Sequence, residues 1–421
     1  MEQDLFLKRK RLPIMFVALF LVYSSFYGTL SIYTPSGAIK ALKEIFIVLL
    51  TTYVLLDFVR TKDKVIKEER YFIFVLLLSL MVIGAVGMLG NNSIISYVYG
   101  VKITLIPIAS IFIGIYITKY NIDLVKIFAW IYTFIIIGWI IQDILGLETL
   151  MNLGFQYGVN VKNFNDELRL PSLVGTPDAY AFLLSILGIF LEVKMKNHKK
   201  MKLIIKITTL LFLVLATIRS ALTLWLVFQI ASYIQKISLE KTKRKYIYVS
   251  LICFSLAAIP LLWTFVLQGS ELTGTHSLED RFSHWFLNLA PIYTGQGIIG
   301  NGLGAVGSAS KSLATLGFRS GSYVVDNQYF AIYEQVGIVG FFVMLLLLLI
   351  IIKSILANKY NNGIDILPLV IATLFSSCFT NILELYPFNI ALFVIIGSSM
   401  SPYKTKSYFL SQKRFVKRGF K

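Results

Sequence analysis

Charge is scarce in this chain of 421 residues. Only 15% of them are Asp, Glu, Lys or Arg, whereas a soluble globular chain carries about 25%. Acids are the scarcer sign, with 22 Asp and Glu against 40 Lys and Arg. There are two cysteines and three histidines. Cys253 and Cys378 both lie in apolar runs and read as small core residues, so neither a disulfide framework nor a metal-binding cluster is expected. What the chain has in quantity is apolar sequence: 57% of residues are hydrophobic and the mean hydropathy is +0.74.

Runs long enough to cross a bilayer, about 20 mostly apolar residues each, recur from end to end. Twelve spans are expected, near 13–34, 41–58, 71–90, 98–118, 124–145, 177–193, 203–218, 219–235, 246–267, 328–353, 364–381 and 385–400. Backbone polar groups in lipid must be satisfied within their own segment. The expected fold is therefore an all-α polytopic membrane protein, a single integral membrane domain over 1–421. The opening "FLKRKRLPIMFVALFLVYSSFYGTL" reads as a basic flank followed by a full-length span, not as a cleavable leader.

The net charge of +18 is concentrated in alternate loops. With the amino terminus placed in the cytoplasm, 31 of the 40 basic residues fall on that side, including the 59–70, 194–206 and 236–245 segments. This positive-inside bias predicts both termini in the cytoplasm and directs the basic residues to anionic lipid headgroups, with no nucleic acid as partner. Two segments on the other side are long: 146–176 and the large loop 268–327. Long loops between spans commonly carry function.

The second loop contains "GQGIIGNGLGAVG", in which Gly302, Gly304 and Gly307 have the spacing of a dinucleotide fingerprint. That fingerprint acts only between a strand and a helix. No strand is expected before it, so the glycines are read as backbone that turns sharply and approaches something closely.

Basic residues on the sparsely charged side are candidates for binding an anion, because ionisable groups at membrane depth are costly. Arg169 precedes "LPSLVGTP", Arg219 sits between two apolar helices, Arg281 opens "RFSHWFLNLAP", and Lys102 lies near one end of a span. Guanidinium grips phosphate through two parallel hydrogen bonds, which points to a diphosphate or to an anionic transport substrate. Snorkelling to the interface or pairing with an acid is the alternative for each. Asp326 and Asn327 stand before the long span of 328–353, with Glu334 two turns into it. Asp326 is either a helix cap or a base that takes a proton from a hydroxyl. His284 and Asp280 are further candidates for that base.

Taken in order, "RLPSLVGTPDAYAFLL", "LATIRSALTLWL", "RFSHWFLNLAPIYTGQGIIGNGLG" and "DNQYFAIYEQVGIVGFF" resemble the O-antigen polymerase and ligase superfamily of bacterial membrane glycosyltransferases. The resemblance covers about 165–345 and implies about twelve spans, cytoplasmic ends and one large extracytoplasmic loop. It implies a donor linked to undecaprenyl diphosphate and a sugar hydroxyl as acceptor, with no metal and no cofactor. Arg219, in "TIRSA", matches the arginine of the family's Ser-Arg-Gly type motif with changed neighbours. Arg281 matches the arginine opening the glycine-rich segment, whose glycines are Gly295, Gly297, Gly300, Gly302 and Gly304 here. Catalytic roles then fall to Asp326, Arg219 and Arg281, and substrate contacts to Arg169, Lys102, His284, Asn327, Gly302, Gly304 and Glu334. Ligases of the family carry His where Asp326 stands, so Asp-Asn is closer to the repeat-unit polymerases. A ligase and a flippase for the same lipid-linked units are the alternatives. Flippase and chain-length regulator proteins are the implied partners, alongside membrane lipid.

The orientation has a direct test. In a background lacking Cys253 and Cys378, a cysteine at Lys311 is expected to react with an impermeant thiol reagent in intact cells. One at Glu240 should react only after permeabilisation. The reverse pattern would invert the topology.

Overall fold

The computed structural model describes residues 2–34, 37–60, 67–91, 93–164, 167–237, 293–315, 325–358 and 363–401. Most of these are helical. The first three helices are α1 (Glu2–Tyr33), α2 (Gly37–Arg60) and α3 (Lys67–Asn91). Then α4 (Ile94–Gly100) runs through a π-helical stretch, Val101–Leu105, into α5 (Ile106–Lys119). α6 (Leu124–Asn152), α7 (Pro177–Lys194), α8 (Lys199–Leu215) and α9 (Arg219–Ile237) follow. The remainder comprises α10 (Gly295–Ile299), α11 (Gly307–Thr315), α12 (Gln328–Ala357), α13 (Leu367–Ser376) and α14 (Phe388–Met400).

Five stretches among the described residues are long and apolar enough to cross a membrane: Met15–Tyr33, Tyr71–Leu89, Ile94–Lys119, Leu124–Asn152 and Gln328–Ala357. They agree with five of the expected spans, and a mostly helical chain of this kind is an all-α membrane protein. α13 and α14 are apolar but only 10 and 13 residues long. The expected span 246–267 and most of the loop 268–327 lie outside the described residues.

Within the 146–176 segment, Lys162–Phe164 (β1) pairs antiparallel with Glu167–Arg169 (β2), setting Lys162 opposite Arg169. Val161 and Leu170, which flank the ladder, are fully buried and anchor this hairpin.

The centre of the bundle is α7, in which every residue from Ala179 to Glu192 is buried. A helix that is apolar all round belongs inside. It packs on α6, α8, α9 and α14, with Phe190 edge-on to Phe128 at 5.4 Å and Phe182 edge-on to Phe388 at 5.3 Å. α14 in turn crosses α5 at Gly114 and Gly397, where added Cβ atoms would overlap Val394 O and Ile111 O. Lipid gives helices little hydrophobic reason to associate, so small residues that let backbones touch are a main source of contact energy. At the lysine-rich end of α7, Glu192 meets Lys202 at 3.3 Å and Gln229 at 2.7 Å, tying α7 to α8 and α9. The opposite end, near the β-hairpin, is the hairpin end below.

Gly397→Val drives a branched side chain into the α5 backbone. It is expected to cost about 1–3 kcal/mol, seen as a lower melting temperature in detergent, whereas Ser398→Ala beside it should leave melting unchanged within about 0.5 kcal/mol.

Candidate functional site

The hairpin end gathers the ionisable groups that the lipid-facing helices lack. Its first cluster is built by "RLPSLVGTPD". Ser172 and Gly175 take positive φ values of 52° and 103°, which folds the chain back on itself. Thr176 then caps α7 by accepting from Ala179 N at 3.4 Å, with Pro177 in the first turn. Asp178 in that turn complements the positive helix end and pairs with Lys162 Nζ at 2.8 Å. Across the hairpin, Arg169 donates from Nε to Thr217 Oγ1 at 2.9 Å and from a terminal nitrogen to Thr217 O at 3.0 Å. Thr217 itself has φ 54° in the turn between α8 and α9, and Arg219 opens α9 with an exposed side chain. Loss of water lowers the pKa of Arg169, Asp178 opposes this, and Arg219 adds to it. Arginine stays charged regardless. Among the described residues, Lys162 pairs with Asp178, and Arg169 lies close enough to both Asp178 and Arg219 to feel their charges.

The glycine stretch is the second feature. Gly300, Gly302 and Gly304 have φ of 86°, 90° and 83°. The space beside Gly302 is filled by the backbone of Met88 on α3, and that beside Gly304 by Ser96 on α4. Asn301 donates to Glu334, from Nδ2 to Oε2 at 3.0 Å and from N to the main-chain O at 2.8 Å. Gly304 N donates to Gln335 Oε1 at 3.0 Å. α12 breaks at Gly337, φ 63°, where the same loop lies against it. Gly302 and Gly304 thus meet helices of this chain, and the buried Glu334 on α12 holds the loop through Asn301.

The third feature is a pair of carboxylates. Asn327 is the cap of α12: its Oδ1 accepts from Tyr329 N and Phe330 N at 3.0 and 3.2 Å, and its Nδ2 donates to Cys378 O at 2.9 Å. Asp326 stands half-buried beside it. Glu384, in the 3-10 turn Ile382–Glu384, accepts from Ser308 N at 2.6 Å. Loss of water raises the Glu384 pKa, the bonding from Ser308 opposes the rise, and the nearby Asp326 adds to it.

A fourth group lies where Val101–Leu105 meets Ile382–Glu384. Lys102 Nζ approaches Glu44 Oε1 at 3.3 Å, and Lys43 Nζ approaches the same oxygen at 3.6 Å. Lys102 is thus paired with an acid, one of the two alternatives to anion binding. Lys43 also sits over the rings of Tyr27 and Tyr386, at 4.0 and 4.1 Å.

Sequence reasoning missed Lys43, Glu44 and Glu384. Adjacent opposite charges inside an apolar run were the available signal for the first two. Nothing local distinguished Glu384. Arg281, His284 and Asp280 lie outside the described residues. No protein-family model matches the sequence, and no curated protein matches it.

The raised pKa of Glu384 fixes a pH dependence. Below its ordinary 4.5 both folded and unfolded chains hold the proton. As pH rises from there towards the folded value, the unfolded chain releases its proton first, so folding is progressively opposed. Wild type should lose stability relative to Glu384→Gln as pH rises through that window, read from melting curves of both proteins. Parallel curves would remove the desolvated acid.

Proposed function

We propose that this chain is a surface-polysaccharide polymerase that joins undecaprenyl-diphosphate-linked repeat units at the outer face of a bacterial cytoplasmic membrane. The observation that carries the reading is the approach of Arg169 and Arg219, two guanidinium groups about fifty positions apart in sequence, beside Lys162 and Asp178. A diphosphate is the anion best suited to paired guanidinium groups. The resemblance to the polymerase and ligase superfamily supplies the lipid carrier and the sugar. Twelve spans, both termini in the cytoplasm and a large extracytoplasmic loop belong to the same proposal, supported by the lysine distribution.

In the proposed reaction an acceptor hydroxyl oxygen attacks the anomeric carbon of the donor. The new glycosidic bond forms as the bond from that carbon to the diphosphate oxygen breaks. The diphosphate leaves with the electron pair, its charge balanced by Arg169, Arg219 and, by the resemblance, Arg281. The hydroxyl proton passes to Asp326, with His284 as a further candidate. Asn327 holds Asp326 in place, and Gly302, Gly304 and Glu334 shape the wall behind it. Lys102 contacts substrate beside Glu44. An apolar cavity of about 130 Å³ between α5, α12, α13 and α14, lined by Ile108, Ile332, Phe341 and Leu374, gives room for part of an isoprenoid chain. Delivery by a flippase and control by a chain-length regulator would complete the system.

The protein in nanodiscs, supplied with lipid-linked repeat units, separates the readings. Products that grow by whole repeats make it a polymerase, transfer to a different acceptor makes it a ligase, and passage across the bilayer without a new bond makes it a flippase. Arg219→Lys should lower chain growth on the order of 100-fold, since lysine cannot make the paired contact. Asp326→Asn should lower it by about 100- to 10,000-fold at unchanged abundance. Full activity in both variants would dismiss the proposed site.

A further inference from the structure

We propose that Glu44, Lys43 and Lys102 form a sugar-binding subsite, separate from the arginines assigned to the diphosphate. The three side chains come from α2 and from the π-helical stretch between α4 and α5, and two tyrosines, from α1 and from the turn before α14, position Lys43. Both ammonium groups converge on one oxygen of Glu44, at 3.6 and 3.3 Å. The other oxygen, Oε2, is buried and receives no hydrogen bond among the described residues. The Tyr27 and Tyr386 rings stand edge-to-face at 5.6 Å, and Lys43 Nζ lies within 4.1 Å of both ring centres. Its position is therefore fixed by more than Glu44.

A buried carboxylate oxygen without a donor is costly, and it states what is missing: a group that gives a hydrogen bond. An ammonium carries three donors, so Lys43 and Lys102 keep N–H groups beyond those aimed at Oε1. A simple anion would satisfy the ammonium groups and be repelled at Oε2. A simple cation would satisfy Oε2 and be repelled by the ammonium groups. Neighbouring hydroxyls answer both demands, because each donates one hydrogen bond and accepts others. A ring carrying adjacent hydroxyls is a sugar. The subsite is sheltered but reachable, since the Lys43, Glu44 and Lys102 side chains keep 16%, 14% and 29% of their accessible surface. Its neighbour is the turn bearing Glu384, through the contact of Val101–Leu105 with Ile382–Glu384. A sugar seated here would lie beside the carboxylate pair. The assignment of this sugar to the repeat unit rests on the glycosyl-transfer reading above.

The test uses the full-length protein in nanodiscs and the oligosaccharide released by mild acid from the source bacterium's lipid-linked repeat units, free of lipid and diphosphate. Binding is followed by saturation-transfer NMR and titration, with melting curves for every variant. Wild type is expected to bind, and inorganic diphosphate should not displace the sugar. Glu44→Gln and Lys102→Gln should each weaken binding about tenfold or more, the loss of a hydrogen bond to a charged group. Lys102 is the most exposed of the three, so its variant keeps the test open if Glu44→Gln melts early. No binding by wild type, unchanged affinity in the folded variants, or displacement by diphosphate would each overturn the subsite. Binding without chain growth in the nanodisc assay would keep the subsite and remove the polymerase. Chain growth in a protein whose variants bind unchanged would do the opposite.

Discussion

Non-helical backbone can lie within a helical bundle only where protein covers it, and the stretch from Gly300 to Gly307 meets that condition by touching three helices. Gly302 lies on α3, Gly304 on α4, and Gly300 on the break in α12 at Gly337. The contacts leave no room for Cβ atoms, so packing alone requires glycine at these positions. Glu334 and Gln335 then bind Asn301 and Gly304 N. The loop and the first turns of α12 thus form one unit. What α12 presents at its start, Asn327 as cap and Asp326 beside it, is set by this unit. So is the start of α11, where Ser308 N meets Glu384.

The charges at the hairpin end are distributed unevenly. Among the described residues, Lys162, Arg169 and Arg219 outnumber the acid near them, Asp178. Around Asp326 and Glu384 the acids face a backbone N–H and each other. Around Lys43 and Lys102 one carboxylate is shared by two ammonium groups. Like charges this close raise the free energy of the empty protein unless something else offsets them, and each group is held by hydrogen bonds or rings that do not depend on the others: Thr217 for Arg169, Ser308 for Glu384, Tyr27 and Tyr386 for Lys43. Charges anchored separately in this way keep their places without depending on one another, and in the function proposed above they would serve as a pre-organised electrostatic site.

Much of this was legible in the sequence, and the rest was hidden for physical reasons. The apolar runs set the helices, since lipid leaves the backbone few alternatives. The failure of a nucleotide reading followed from the missing strand before Gly302. Arg169 and Arg219 stood out because arginine between apolar segments is rare. Their approach to each other did not, because it depends on a β-hairpin whose short alternation is buried in a polar loop, and on the fold of α7 against α8 and α9. The role of Asn327 as cap was open to sequence reasoning only as a choice between it and Asp326, since both residue types cap well. The π-helical turn that carries Lys102 has no sequence mark. The Lys43–Glu44 pair had one, adjacent charges at the end of a span, but each could as easily have reached the membrane surface.

The short helices before and after Glu384 bring the argument back to lipid. α13 has 10 residues and covers about 15 Å, half of a bilayer's hydrocarbon thickness. A turn that follows so short a helix cannot leave its peptide groups to lipid. Here α12 covers them: Gln328 N donates to Ser377 O at 2.9 Å, Gln328 Oε1 accepts from Leu383 N at 2.7 Å, and Tyr329 Oη donates to Leu374 O at 2.7 Å. The start of α12 therefore does two things at once. It closes the turn between α13 and α14, and it brings the carboxylate of that turn, Glu384, to the side of Asp326. A carboxyl in such a turn is shielded from water by the same packing that makes the turn possible, which is the physical origin of its raised pKa.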